Sequence, residues 1–195
     1  MDERLKKQIS FIMEIDKLKR ITRQSYITGA ERKETDTDHS WHLAMMCALL
    51  SEYANEKIDV LHTMTMVLIH DIVEIDAGDT YAYDAEGLKT QKAREEAAKE
   101  RIFSLLPPDQ KAEFTALFDE FEAYETAEAK FAHSLDNLQP LLLNNSNEGG
   151  DWKEHGVSSA TVYTRQSKTK LGSEKLYEVT DRIIQENIRK GNLKE

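Results

Sequence analysis

A chain of 195 residues, 39% hydrophobic and 32% charged, is long enough for a sizeable core and too apolar to be disordered. Its formal net charge of −10, from 26 basic and 36 acidic residues, argues against a binder of duplex nucleic acid, which would be basic. Cys47 is the one cysteine, so no intramolecular disulfide forms. Met1-Asp2-Glu3-Arg4 lacks a hydrophobic signal region, and no apolar run approaches the roughly 18 residues of a membrane span, so a cytoplasmic protein is expected.

Helical periodicity runs almost throughout, and eight glycines and three prolines are few for a turn-rich β fold, so the expected class is all-α. The first helix is predicted over about 3–20, with Leu5, Ile9, Ile12, Met13 and Leu18 as its apolar stripe. Residues 21–38 are polar and irregular, a long connection of the kind that often carries function. The second helix starts near Asp36, Thr37 or Asp38, any of which can cap it, and runs to about Asn55. Leu43, Met46, Leu50 and Tyr53 form its core face. Asp59 is the expected cap of the third, which carries Leu61, Met64, Leu68, Ile72 and Ile75. A turn at Asp76-Ala77-Gly78-Asp79 and a loop with Tyr81 and Tyr83 follow. A strongly charged helix over about 88–106 is stopped by Pro107-Pro108, and the next covers Asp109 to about Tyr124 with Phe114, Leu117, Phe118 and Phe121 as core. Thr126 caps a helix reaching about Asn144, with Phe131, Leu135, Leu138 and Leu142 on its core face. Pro140 has no N–H to give the Asp136 carbonyl, so a kink is expected there. Residues 144–156 read as a polar loop, and two last helices cover about 157–170 and 174–190, separated by Gly172 and capped by Ser173. With no internal repeat, low-complexity tract or linker, 1–195 is expected to be one domain.

Three places break the apolar pattern with ionisable groups. The run Met66-Val67-Leu68-Ile69 ends in His70-Asp71, with Glu74 beyond, and nothing basic stands nearby in sequence. Buried charge is disfavoured by several kcal/mol unless paired or bound to metal. His70 and Glu74, four apart, share a helical face, whereas Asp71 is rotated by about 100° on an ideal helix. His39 lies in the first turn of the second helix, and Asp136 interrupts the core face of a later one. One divalent cation, Mn, Fe, Co, Ni or Zn, would account for His39, His70, Asp71 and Asp136 together. By spacing alone His42 competes with His39. A single cysteine disfavours a closed structural zinc site, while two imidazoles and two carboxylates leave room for water, as a catalytic ion needs. Met45, Met46, Met64 and Met66 read as core filler.

The ordered set formed by Asp38-His39-Ser40, His70-Asp71 with Glu74 and Gly78-Asp79, and the late Asp136 resembles the HD-domain phosphohydrolases. Within them it is most similar to the bacterial 5′-deoxynucleotidases and their eukaryotic HD-domain-containing relatives, over about 5–145. The resemblance implies an HD-domain helical bundle, here with additional C-terminal helices at about 157–190. It implies that His39, His70, Asp71 and Asp136 bind one divalent metal. Glu74 and Asp79 then carry the catalytic work: Glu74 handles the attacking water or the leaving oxygen, and Asp79 also contacts substrate near its sugar. Arg23 holds the phosphate, with the bidentate donors that suit it.

The implied reaction is hydrolysis of a nucleoside 5′-monophosphate to nucleoside and phosphate, most of it positioning and electrostatics. A non-catalytic helical interaction module that keeps a structural metal, and an HD hydrolase of another phosphate ester or of a nucleotide polyphosphate, are the rival expectations. The relatives place a tryptophan beside the phosphate arginine, associated with excluding the 2′-hydroxyl, where this chain has Gln24. The Thr80-Tyr81-Ala82-Tyr83-Asp84 loop also differs. The extra acid of alarmone hydrolases is Ile75 here, and the glycine-tyrosine-proline signature of cyclic-dinucleotide phosphodiesterases is absent. A homodimer through the apolar faces of the terminal helices is expected.

Overall fold

Apolar spacing sets most of the helices in a computed structural model that describes residues 2–194. Helix α1 (Glu3–Ile15) tightens into a 3-10 turn at Asp16–Arg20. Two short antiparallel strands follow, β1 (Thr22–Tyr26) and β2 (Lys33–Thr35), paired Thr22 to Thr35 and Tyr26 to Lys33 with an irregularity between. Then come α2 (Asp36–Leu50), α3 (Val60–Ile69), a 3-10 turn at His70–Val73 and the short α4 (Glu74–Ala77). The rest is α5 (Leu88–Phe103), α6 (Pro108–Ala123), α7 (Ala127–Ser146), α8 (Gly150–His155), α9 (Ser159–Gln166), α10 (Thr169–Gly172) and α11 (Glu174–Arg189).

Helix α7 is the axis of the molecule: α2, α3, α6, α10 and α11 all pack on it. It buries Phe131, Leu135, Leu138 and Leu141 against Leu43, Met66, Trp152 and Ile184 in the larger apolar cluster. A second cluster joins Phe11 and Leu18 to Ile69, Ile72, Ile102, Phe103 and Phe118. The chain from Met66 to Val73 passes from the first cluster into the second, so His70 and Asp71 sit at the seam. Helix α7 runs through Pro140 as one element.

Several expectations are corrected. Residues 21–38 hold the hairpin rather than structureless chain. Its strands are polar on both faces, so no alternation marks them. Residues 144–156 hold α8 rather than a loop. Of the first-helix stripe, Leu5, Ile9, Ile12 and Met13 point outward, Ile12 at 58% and Met13 at 63% exposed, while Leu18 is buried as expected and Phe11 also turns inward. Leu61, at 74% exposed, Leu68, Tyr53 and Met45 likewise face out. Periodicity identifies a face without saying which neighbour covers it.

Candidate active site

His39 is set by the start of α2. Thr35 is the N-cap: its Oγ1 accepts from Asp38 N at 3.2 Å, and Asp38 Oδ2 accepts from Thr35 N at 2.9 Å. This reciprocal pair satisfies two backbone donors and fixes the first turn. His39, fully buried, then points toward α7, where its Nδ1 donates to Gln139 Oε1 at 2.9 Å. Gln139 donates in turn to Glu34 Oε2 at 2.9 Å. Gln139 thereby holds the His39 ring in one orientation and turns Nε2 toward Asp136.

His70 and Asp71 are adjacent yet both reach the site, because the chain leaves α3 for a 3-10 turn at His70, changing the angle between successive side chains. His70 Nδ1 donates to Val67 O at 2.8 Å, so Nε2 faces the acids. His70 Nε2 is buried and has no hydrogen-bond partner of acceptable geometry.

His39, His70 and Asp136 offer one ligand atom each within 4.8 Å of one another. His39 Nε2 lies 3.0 Å from Asp136 Oδ1, and His70 Nε2 lies 3.8 Å from the same oxygen. Asp71 approaches both rings, with Oδ1 3.0 Å from His70 Nε2 and Oδ2 3.9 Å from His39 Nε2. Asp71 also belongs to a second group with Asp36 and Glu74, again within 4.8 Å. Ligand atoms about 2.1 Å from a common ion and at right angles to each other stand about 3 Å apart. The two nitrogen–oxygen separations of 3.0 Å match that value, and the unpartnered His70 Nε2 is the donor an ion would use. This donor set of imidazole and carboxylate fits a divalent metal.

The electrostatics agree. Burial pulls the His70 imidazole down, but Asp71 and Asp136 outweigh it and hold it up at about 9. The negative charge that stabilises a proton on that ring would equally stabilise a cation. Burial would raise Asp136, yet the hydrogen bond with His39, with His70 and Arg165 close by, holds it well below the usual carboxylate range. Burial, then the charge of Asp71, pushes Asp36 up to about 7, and the same two causes raise Glu74.

Arg23, on β1, is the counter-charge. Its Nη1 donates to Asp71 Oδ2 at 2.9 Å and to Asp36 Oδ1 at 3.2 Å, and stands 3.9 Å from Asp79 Oδ1. Arg23, His70, Asp71, Glu74, Asp79 and Asp136 line a cavity of about 210 Å³ that also takes in Gln24, Tyr81, Asn144 and Asp151, with His39 and Asp36 behind its wall. His42 does not join the cluster: its Nδ1 stands 3.2 Å from Gln139 Nε2, so that glutamine separates it from His39.

Sequence reasoning missed four residues here. Glu34 and Asp36 are buried beside Arg23, on and just after a strand with no alternation to flag it. Gln139 reads as one more polar residue on α7. Arg165 comes from α9, with Nη2 3.3 Å from Asp136 Oδ2.

The HD-domain family profile matches residues 15–177. The chain belongs to the HD-domain family. It is similar to the 5′-deoxynucleotidase HDDC2 of Xenopus laevis, 33% identical over 70% of this chain and 67% of that one. It is 29% identical to the human 5′-deoxynucleotidase HDDC2, over 69% and 65%. The 5′-deoxynucleotidase YfbR of Escherichia coli O127:H6 is 26% identical over 70% and 71%. The chain thus spans about two thirds of the length of the curated relatives it matches. Among solved structures, a predicted metal-dependent phosphohydrolase from Magnetospirillum magnetotacticum superposes with a TM-score of 0.95 at 49% identity, over 98% of this chain and 96% of that one. No helix of this HD domain, among the described residues, is long and apolar enough to cross a membrane.

Proposed function

We propose that this HD domain is a divalent-metal-dependent phosphomonoesterase that hydrolyses nucleoside 5′-monophosphates to nucleoside and phosphate. One observation carries the reading: two imidazoles and two carboxylates from α2, the His70–Val73 turn and α7 come together, and three of them, His70, Asp71 and Asp136, line a cavity with Arg23 and Glu74. The names of the relatives support the substrate class.

His39, His70, Asp71 and Asp136 would hold the metal, which when bound polarises a phosphoryl oxygen and acidifies a water. Glu74 would take the proton of the water that attacks phosphorus. The bond between phosphorus and the 5′ oxygen breaks, and the leaving oxygen receives a proton from Glu74 or Asp79. Arg23 Nη1 is engaged by Asp71 and Asp36 while Nε has no hydrogen-bond partner, so the guanidinium keeps donors for a phosphate oxygen. Asp79, close to Arg23, contacts the sugar side of the substrate.

The test is phosphate release from a panel of nucleoside mono-, di- and triphosphates by protein loaded separately with Mn, Co, Fe, Ni or Zn. Release confined to monophosphates and dependent on metal is expected. No release from any ester with any ion would overturn the reading. The reading includes a homodimer, supported by apolar surface exposed at Leu5, Ile9, Ile12 and Met13 on α1 and at Trp41, Met45 and Leu49 on α2. Sedimentation equilibrium giving a monomer mass at micromolar concentration would refute that part.

A further inference from the structure

The cavity has a second polar end that the phosphate chemistry does not use. It is built by α8. Asn147 pins the approach to this helix to the hairpin, donating from Nδ2 to Ile27 O at 2.9 Å and accepting at Oδ1 from Gly29 N at 3.0 Å. Gly149 and Gly150 then turn the chain at φ +92° and +23°. A Cβ on Gly150 would stand 2.9 Å from Asn144 Oδ1, and its positive φ is one that L side chains rarely adopt, so glycine is favoured at this approach to α7.

The turn delivers Asp151 to the cavity wall, 3% exposed. Its Oδ2 accepts from Tyr81 Oη at 2.7 Å. Its Oδ1 is buried with no partner. A buried carboxylate oxygen without a donor is costly and is an acceptor in waiting. Burial, then the nearby Asp151, pushes the Tyr81 phenol well up, so Tyr81 keeps its proton and holds Oδ2. Tyr81 and Tyr83, ring centroids 5.2 Å apart, add aromatic surface to the same wall.

Helix α7 measures how far this end lies from the chemistry. Asn144, beside Gly150, is two turns along α7 from Asp136, about 12 Å at 1.5 Å per residue. A sugar bonded to the phosphate cannot reach that far; the base of a nucleotide can. We infer that Asp151 is a specificity-determining residue whose Oδ1 accepts a hydrogen bond from an N–H group of the substrate base. The inference rests on the nucleotidase reading and extends it to recognition of the base.

The test compares kcat/KM for deoxynucleoside 5′-monophosphates with that for 2-deoxyribose 5-phosphate, which has the sugar and the phosphate but no base. Wild-type protein prefers the nucleotide. Asp151→Asn places an amide donor against the base donor, and the preference falls about tenfold or more, mainly through a higher KM for the nucleotide. Tyr81→Phe, which frees Oδ2 and lets the carboxyl turn, lowers the preference in the same direction. It also decides the matter if Asp151→Asn does not fold by circular dichroism. Folded variants that keep the wild-type preference, or that lose both substrates equally, overturn the inference while leaving the nucleotidase reading intact. A wild-type protein that releases no phosphate from any nucleotide sinks both.

Discussion

His39 Nε2 lies 3.0 Å from Asp136 Oδ1, although the two residues are 97 positions apart. Both are buried, one on the first turn of α2 and the other inside α7. A charged side chain at such a depth needs a partner of opposite charge. The HD centre answers with Arg23 on one side and a cation-ready arrangement of imidazoles and acids on the other.

The His39 ring is oriented by Gln139, so metal affinity is expected to depend on Gln139 as well as on the proposed ligands. Gln139→Leu removes the acceptor for His39 Nδ1 and the donor to Glu34. Metal affinity is expected to fall roughly 10- to 100-fold, measured by competition with a chelator. An unchanged affinity in a folded variant contradicts the orienting role.

Asp71 and Glu74 separate by role. Asp71→Ala is expected to lose metal and activity together. Glu74→Ala keeps the metal and loses roughly 100-fold or more in kcat. Metal content and turnover measured on the same preparations distinguish them, and a fully active Glu74→Ala protein rules out its handling of water.

How much of this was legible in the sequence depends on what each residue interrupts. His70, Asp71 and Asp136 stand out because each breaks an apolar pattern, and a buried charge there demands a reason. Glu34 and Asp36 are as deeply buried, but they lie in a polar stretch where burial leaves no mark. Arg165 sits on an otherwise ordinary surface helix, and only the packing of the chain after α7 brings it to Asp136. Helix α8 was hidden by its glycines, which mark a turn without announcing that a buried aspartate follows. The α1 stripe reads as core because exposed and buried apolar faces have the same period.

Acid sensitivity should trace in part to His133. It is stacked on Phe121, with ring centroids 3.9 Å apart, and its Nε2 donates to Phe121 O at 2.9 Å. Burial lowers it from 6.5 to about 4, so the fold keeps it neutral while the unfolded chain takes up a proton. Its contribution is intact above about pH 6.5, declines as pH falls toward 4 and is flat below, amounting to roughly 3 kcal/mol. Denaturant unfolding at pH 7 and pH 4.5 should show a smaller loss for His133→Gln than for wild type. Equal losses would assign the sensitivity elsewhere.

Sugar discrimination should be weak. Gln24 lines the cavity and its Oε1 accepts from Lys33 Nζ at 2.6 Å, leaving no bulky ring against the sugar. Ribo- and deoxyribonucleotides are expected to differ by less than about tenfold in kcat/KM, and Gln24→Trp should widen the gap toward deoxyribose by about tenfold. A strong deoxyribose preference in the wild-type protein would show that another residue excludes the 2′-hydroxyl.

The most direct test of the centre is elemental analysis of protein reconstituted with Mn, Co, Fe, Ni or Zn and freed of loose ions. One tightly held divalent ion per chain is expected in the wild type, and none in His70→Ala or Asp136→Ala. A wild-type protein that holds no ion, or variants that hold it equally well, would contradict the account.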